Sequence, residues 1–207
     1  MKKLIFCFFL LIFCFSFTSC KKDEKRTIVE VTALDKTTNN VIPNAKITLV
    51  AETSSTFMGP SYYAVIEEKY TNIAGKFTFD FKANKSYGYF LVASAEHYYN
   101  TDEHTGNIEN SKMNYVAIPL QPEGFLKVFI KNTTPFDNAD KIYVGSYDID
   151  LGGYYYGTAV DTFTIGRTWG NVNRNLNWQV TKNEMINNYS TYIFVTAYDT
   201  TIYTINY

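Results

Sequence analysis

The side chains of this sequence that could do chemistry are few: three cysteines, two histidines and a scatter of aspartates. Cys7 and Cys14 sit inside an apolar run, and Cys20 follows shortly after it. His97 and His104 could come close together, but no cysteine or paired-carboxylate spacing accompanies them. A structural zinc site needs four ligands of Cys or His type, so turn or rim histidines are expected, and no metal. Asp137, Asp140, Asp148 and Asp150 form an acidic stretch without the Asp-x-Asp-x-Asp-Gly order of a calcium loop. It reads as a solvated loop, with a weak calcium site as the alternative. No nucleophile elbow marks a Ser-His-Asp arrangement. The paired carboxylates of a glycosidase are set by separation in space rather than by spacing along the chain, and nothing marks such a pair. No cofactor is expected.

Aromatic side chains offer a different chemistry. Leu151-Gly152-Gly153-Tyr154-Tyr155-Tyr156-Gly157 precedes Trp169 and Trp178. Flat rings on glycine-flanked segments can stack on sugar faces or anchor a protein partner. Three adjacent tyrosines cannot all point one way on a strand. Trp178 alternates with Leu176 and Val180 and is assigned to the core. Tyr154, Tyr156 and Trp169 are therefore the candidate ligand contacts, with core packing as the competing account.

These residues need an address and a scaffold. Lys2 and Lys3 precede the apolar run Leu4–Phe17, which is followed by Phe17-Thr18-Ser19-Cys20. A basic start, a short apolar stretch and small residues before a cut make a secretory signal peptide, residues 1–19. A membrane span would need about 20 apolar residues. Phe17-Thr18-Ser19-Cys20 resembles a bacterial lipobox. That resemblance implies a diacylglycerol on the Cys20 sulfur, cleavage before Cys20, and acylation of the new amine. Cys7 and Cys14 leave with the signal peptide, so the mature chain has no internal disulfide. Two or more acyl chains, at about 0.8 kcal/mol per buried methylene, hold a protein stably on a bilayer. The expected partner is thus a membrane, reached through Cys20.

Residues 20–26 form a lipidated, charged tether. Within it Lys22-Asp23-Glu24 resembles the export signal of surface lipoproteins in Bacteroidota, which implies the outer face of the outer membrane. A plain solvated spacer would have the same composition.

Past the tether, the composition speaks for strands. Tyr and Phe number 18 and 16, and such residues fit a pleated, half-buried surface. The net charge of −1 includes no basic stripe, which argues against nucleic acid as a partner. Ile28, Glu30 and Thr32 alternate with Val29, Val31 and Ala33. Period-two strands follow at Ile47–Ala51, Tyr63–Ile66, Phe77–Phe81, Tyr87–Ala95 and Met113–Leu120. Ser54–Ser61 and Asn100–Asn110 read as loops. Pro122-Glu123-Gly124 reads as a linker. Beyond it, Phe125–Ile130, Asp161–Ile165, Asn177–Val180, Tyr192–Tyr198 and Ile202–Tyr207 read as strands, with Asp199-Thr200 as a turn. Thr181–Tyr189 is the one helical candidate, opened by a Thr181-x-x-Glu184 capping box. Asn138–Val144 faintly echoes Asn44–Val50. The expected fold is all-β: two tandem small β-sandwiches of Ig-like or prealbumin-like type, residues 27–121 and 122–207.

The first of these units resembles a known family. Pro43-Asn44-Ala45, Ile47-x-Leu49, Thr71-Asn72-x-x-Gly75-x-Phe77 and Ala93-x-Ala95-x-x-Tyr98 are similar to the carboxypeptidase regulatory-like domain. Asn44 and His97 stand where that family usually has Gly. The resemblance implies a transthyretin-like sandwich that spaces or docks and does not catalyse. Three functional readings follow: a non-catalytic surface lipoprotein acting as a binding or structural module; a carbohydrate-binding subunit of a glycan-uptake system; or an enzyme with an unmarked carboxylate pair. Glycan and another envelope protein are the candidate partners.

The anchor has a direct test. Cys20→Ser is expected to release the protein from the membrane fraction or to stop its processing, read by fractionation and by the mass of the mature chain.

Overall fold

A computed structural model describes residues 25–53, 61–101 and 107–207. Cys20, the Lys22-Asp23-Glu24 segment, His104 and most of the Ser54–Ser61 loop lie outside the described residues. The described chain contains strands and turns and no helix.

Among the described residues six strands build the first body: β1 (Thr27–Asp35), β2 (Lys46–Thr53), β3 (Tyr62–Tyr70), β4 (Lys76–Phe81), β5 (Gly88–Ser94) and β6 (Met113–Leu120). They form two sheets, ordered β4-β1-β6 and β3-β2-β5. Alternation along β1 sends Val29, Val31 and Ala33 inward, where they meet Ile47 and Leu49 of β2, Leu91 of β5 and Ile118 of β6. Phe79 is buried between Phe77 and Phe81, which are partly buried on the same face. The turn before β4 needs a left-handed residue, and Gly75 supplies it at φ 68°. Asn72 Oδ1 accepts hydrogen bonds from the N–H groups of Ala74 and Lys76, which closes that turn.

Seven strands build the second body: β7 (Glu123–Lys131), β8 (Lys141–Gly145), β9 (Gly152–Tyr156), β10 (Asp161–Trp169), β11 (Val172–Lys182), β12 (Met185–Val195) and β13 (Thr200–Asn206). Their sheets are ordered β10-β7-β13 and β12-β11-β8-β9. Leu126, Val128 and Ile130 of β7 face Ile142, Val144, Leu176 and Val195 across the core. The two bodies share one topology. In each, the first strand is flanked by an antiparallel strand and by the parallel last strand of that body, β6 or β13. In each, the second strand is central in the opposite sheet. Strand β12 is the addition. The echo of Asn44–Val50 in Asn138–Val144 falls on the equivalent strands β2 and β8.

Two expectations are corrected. Thr181–Tyr189 is not a helix. It is the hairpin between β11 and β12, with Lys182 opposite Met185 and Asn183 and Glu184 at φ 46° and 60°. Positive φ at both central residues makes a tight two-residue hairpin turn. Thr181 is therefore committed to a ladder and no capping box forms. Pro122-Glu123-Gly124 is not a free linker either. Pro122 bridges to Tyr98, and Glu123 already belongs to β7.

The bodies meet at a buried carboxylate. Asp35, at the end of β1, is almost fully buried. Its Oδ1 accepts from Thr37 N–H and Oγ1–H at 2.7 Å each and from Thr38 N–H at 3.0 Å. Tyr198, from the second body, donates to Oδ2 at 2.6 Å. The Tyr98 hydroxyl stands 3.1 Å from the same oxygen and 2.6 Å from the Tyr198 oxygen. The two rings meet edge-on. Asn171 donates to Thr37 Oγ1 and Gln121 to the Gly170 carbonyl, both at 3.0 Å. Burial raises the Asp35 pKa, but the donors Tyr198, Thr37 and Thr38 outweigh it and bring it from 3.8 to about 2.

A depressed carboxylate pKa stabilises the fold above the unfolded value, and that contribution is lost as pH falls through the folded value. Asp35 thus contributes about 2 kcal/mol that disappears between about pH 4 and pH 2. Asp35→Asn is expected to lower stability near neutral pH by a similar amount. The gap between the two proteins should close across that window in denaturant titrations.

Candidate functional site

Strand pairing places the tyrosine cluster. Alternation along β9 turns Tyr155 toward the core and leaves Tyr154 and Tyr156 outward, 56% and 65% exposed. Tyr154 lies opposite Tyr143 of β8. Tyr143 lies opposite Gln179 of β11, and Gln179 opposite Asn188 of β12. One row thus crosses four strands: two phenol rings, then two amides. The neighbouring row is Gly152, Gly145, Asn177 and Ser190.

The rings of the first row lean together. Tyr143 and Tyr154 have centroids 4.8 Å apart, and Tyr154 stacks on Tyr156 at 6.1 Å. Gly145 lets Tyr143 lie down along its own strand. A Cβ at residue 145 would sit 2.5 Å from the Tyr143 hydroxyl oxygen. The ring therefore lies across a position with no side chain, against the sheet. Beside it opens a hollow of about 460 Å³ lined by Tyr143, Asn177, Gln179, Asn188 and Ser190, with Trp178 and Tyr189. A second hollow, of about 250 Å³, continues past Gly145, Ser146 and Tyr147. Neither lining includes a charged side chain. Gln179 Nε2 donates to Asn188 Oδ1 at 2.9 Å.

The platform rests on a second buried carboxylate. Asp140, immediately before β8, is fully buried, which corrects its assignment to a solvated loop; Asp137, Asp148 and Asp150 are exposed. Burial pushes the Asp140 carboxyl up, but it accepts from the Phe136 N–H, from Asn132 Nδ2 and from the Asp137 N–H, with Lys182 nearby. Together these outweigh burial and hold it below the ordinary carboxylate range. The Asp140 carbonyl also accepts from Gly157 N–H, just past β9. One residue thus fixes the start of β8 and the end of β9, the strands that carry Tyr143 and Tyr154–Tyr156.

Trp169 is elsewhere. It lies on the outward face of the opposite sheet, across from Glu123, so it does not share a surface with Tyr154 and Tyr156. It lines an open groove of about 990 Å³ near the joint, with Tyr99, Asp148, Asp150, Arg167 and Arg174. This groove is larger, but its cations are already committed. Arg174 donates to Thr168 Oγ1 and the Asp148 carbonyl and lies over the Trp169 ring. Arg167 pairs with Glu123 and stacks on Tyr99. Lys36 stands 5.6 Å from the Trp169 centroid. Trp178 is half-buried, stacked on Tyr189 at 5.5 Å and packed against Tyr203. His97 is an exposed turn residue beside Glu96. Among the described residues no cluster of three or more His, Cys, Asp or Glu could hold a metal ion.

Three residues of the exposed row, Tyr143, Gln179 and Asn188, escape the sequence reading. Tyr143 sits in an ordinary alternating strand, and the amides sit in or beside the segment read as a helix. The signal that could have found them is the Tyr-x-Gly spacing of Tyr143 and Gly145, next to a strand rich in Asn and Gln.

No family model matches the chain, and no curated protein matches it. Among solved structures it is similar to the TIE protein of Bacillus anthracis (14% identity, TM-score 0.39, covering 87% of this chain and 34% of that one). It is similar to a streptococcal ancillary pilin (13%, TM-score 0.39, covering 89% and 63%). It is also similar to the minor pilin GBS52 of Streptococcus agalactiae (12%, TM-score 0.35, covering 87% and 94%). The chain spans about a third of the first of these proteins and under two thirds of the second.

The two tryptophans are in contrasting surroundings, and quenching should report it. With Trp178→Phe, the emission left from Trp169 is expected to be quenched more by iodide than by caesium, because Lys36 and Arg174 stand over its ring. With Trp169→Phe, the remaining Trp178 emission should lie further to the blue and show a weaker preference for the anion.

Proposed function

We propose that this protein is a non-catalytic lipoprotein of the bacterial cell envelope. It is held on the outer membrane through Cys20, faces outward, and presents the tyrosine-and-amide face of its second body as a recognition surface. The observation that carries this reading is the row Tyr154–Tyr143–Gln179–Asn188. It is an exposed line of planar and hydrogen-bonding groups on a regular four-stranded sheet. Sites built on strands hold their side chains more rigidly than sites on loops.

The first body acts as a spacer. Its resemblance to the carboxypeptidase regulatory-like domain is supported by backbone conformation. Asn44 and His97, the two positions where that family usually has Gly, adopt φ 56° and 64°. They take the left-handed conformation that a glycine would supply. The joint at Asp35 leaves no slack between spacer and recognition surface, and Arg26 enters β1 at the end opposite to Asp35.

Replacing Lys22, Asp23 and Glu24 together with alanine should leave the protein lipidated and folded but move it inward. Substitutions on a tether cost under about 0.5 kcal/mol of stability, so only an export machinery would sense them. In protease treatment of intact cells the unaltered protein should be shaved and the triple variant protected. Equal shaving of both would reduce this segment to a solvated spacer.

A further inference from the structure

We infer that the outward face of the β12-β11-β8-β9 sheet binds an extended, uncharged polysaccharide, with sugar rings stacked on Tyr143 and Tyr154 and hydroxyls held by Asn177, Gln179 and Asn188. This rests on the reading of that face as the recognition surface and names its ligand.

Four observations fix the ligand class. The first is the ring that lies down. A pyranose has a face of C–H groups, which needs a flat ring presented broadside. Gly145 gives Tyr143 that posture by leaving open the space a Cβ would fill, and Tyr154 leans on it at 4.8 Å. The second is the amides. A carboxamide offers one acceptor and two donor hydrogens, which matches neighbouring sugar hydroxyls that both give and take. The bond from Gln179 to Asn188 leaves the Gln179 Oε1 acceptor and the Asn188 Nδ2 donor side by side, with Asn177 and Ser190 in the next row.

The third observation is charge. The two hollows that flank Tyr143 are lined by phenols, the Trp178 indole, amides, serines and glycine, with no lysine, arginine, aspartate or glutamate. A phosphate, sulfate or uronate would find no cation there. A cationic ligand would find no carboxylate. An apolar protein surface fits poorly as well, since covering Asn177, Gln179 and Asn188 with it would leave their amides unsatisfied. The fourth is extent. A row across four strands at about 4.8 Å per step runs about 14 Å, longer than one sugar ring. The second hollow prolongs the surface past Gly145 to Tyr147, whose side chain is fully exposed. A chain of sugars uses this length and a monosaccharide does not.

The test uses the full chain, purified in a detergent without a sugar headgroup. The probes are immobilised neutral polymers (glucans, mannans, xylans and galactans) beside polygalacturonate and a sulfated glycan. Retention by at least one neutral polymer is expected, unchanged by raised salt. Tyr154→Ala and Gln179→Ala should each weaken it about tenfold or more. Gly145→Ala should weaken it too, because its Cβ displaces the Tyr143 ring. Thermal melting should be preserved in all three variants, and Trp169→Ala should bind as the unaltered protein does. Three outcomes overturn the inference: no retention on any polymer, retention on the charged polymers alone, or full retention of Tyr154→Ala on a neutral one. Shaving of the protein from intact cells alongside any of these would leave the outward-facing envelope reading standing and remove only its ligand.

Discussion

A carboxylate buried at the end of a strand must be given donors, and the arrangement of this molecule follows from how Asp35 finds them. One of its oxygens is satisfied by the turn that β1 enters, through Thr37 and Thr38. The other is met by phenols brought from a distance, Tyr98 from the first body and Tyr198 from the second. Tyr198 pays in turn. Burial and its bond to Asp35 push its own ionisation above the ordinary phenol range, which keeps it protonated as a donor. Because Tyr198 sits at φ 62°, in the crossing from β12 to β13, the joint also sets where the chain changes sheets.

The strands were legible because their pattern is local. Alternation in β1 and β6 needs no partner to be read, and Met113–Leu120 is one strand in both sequence and structure. The misreadings are of another kind. Thr181–Tyr189 carries a capping-box spacing, yet Asn183 tolerates the left-handed region, and β11 and β12 have apolar inward residues at Leu176, Val180, Ile193 and Val195. Burial of those side chains decides the segment, and it depends on a partner strand the window does not contain. The strand read at Tyr192–Tyr198 stops at Val195, because Tyr198 is drawn to the joint. Asp140 looks like any acidic turn residue until the backbone N–H groups that need it are folded around it.

The tyrosine-and-amide face shows the same division. That Tyr154 and Tyr156 share a face and Tyr155 does not is a property of any strand and could be read directly. That Tyr143, Gln179 and Asn188 continue their row is a property of register. Register is set by pairings across the second body that no motif records. Trp169 shares only its chemistry with the tyrosines. Its place in β10 puts it on the outward face of the other sheet, where it carries two cations and helps line the joint.

The parallel pairing of the first and last strands of each body has a mechanical meaning. β1 and β6 run side by side in one direction, in register from Ile28 with Met113 to Asp35 with Leu120. Tension between the tether and the second body therefore enters at the start of β1 and leaves at the end of β6. Such a pull runs along the strands and across their hydrogen bonds, so the ladder is loaded in shear, all rungs together, instead of being unzipped from one end. The same geometry recurs between β7 and β13. Two parallel first-to-last pairings in series make a chain that resists extension along its length.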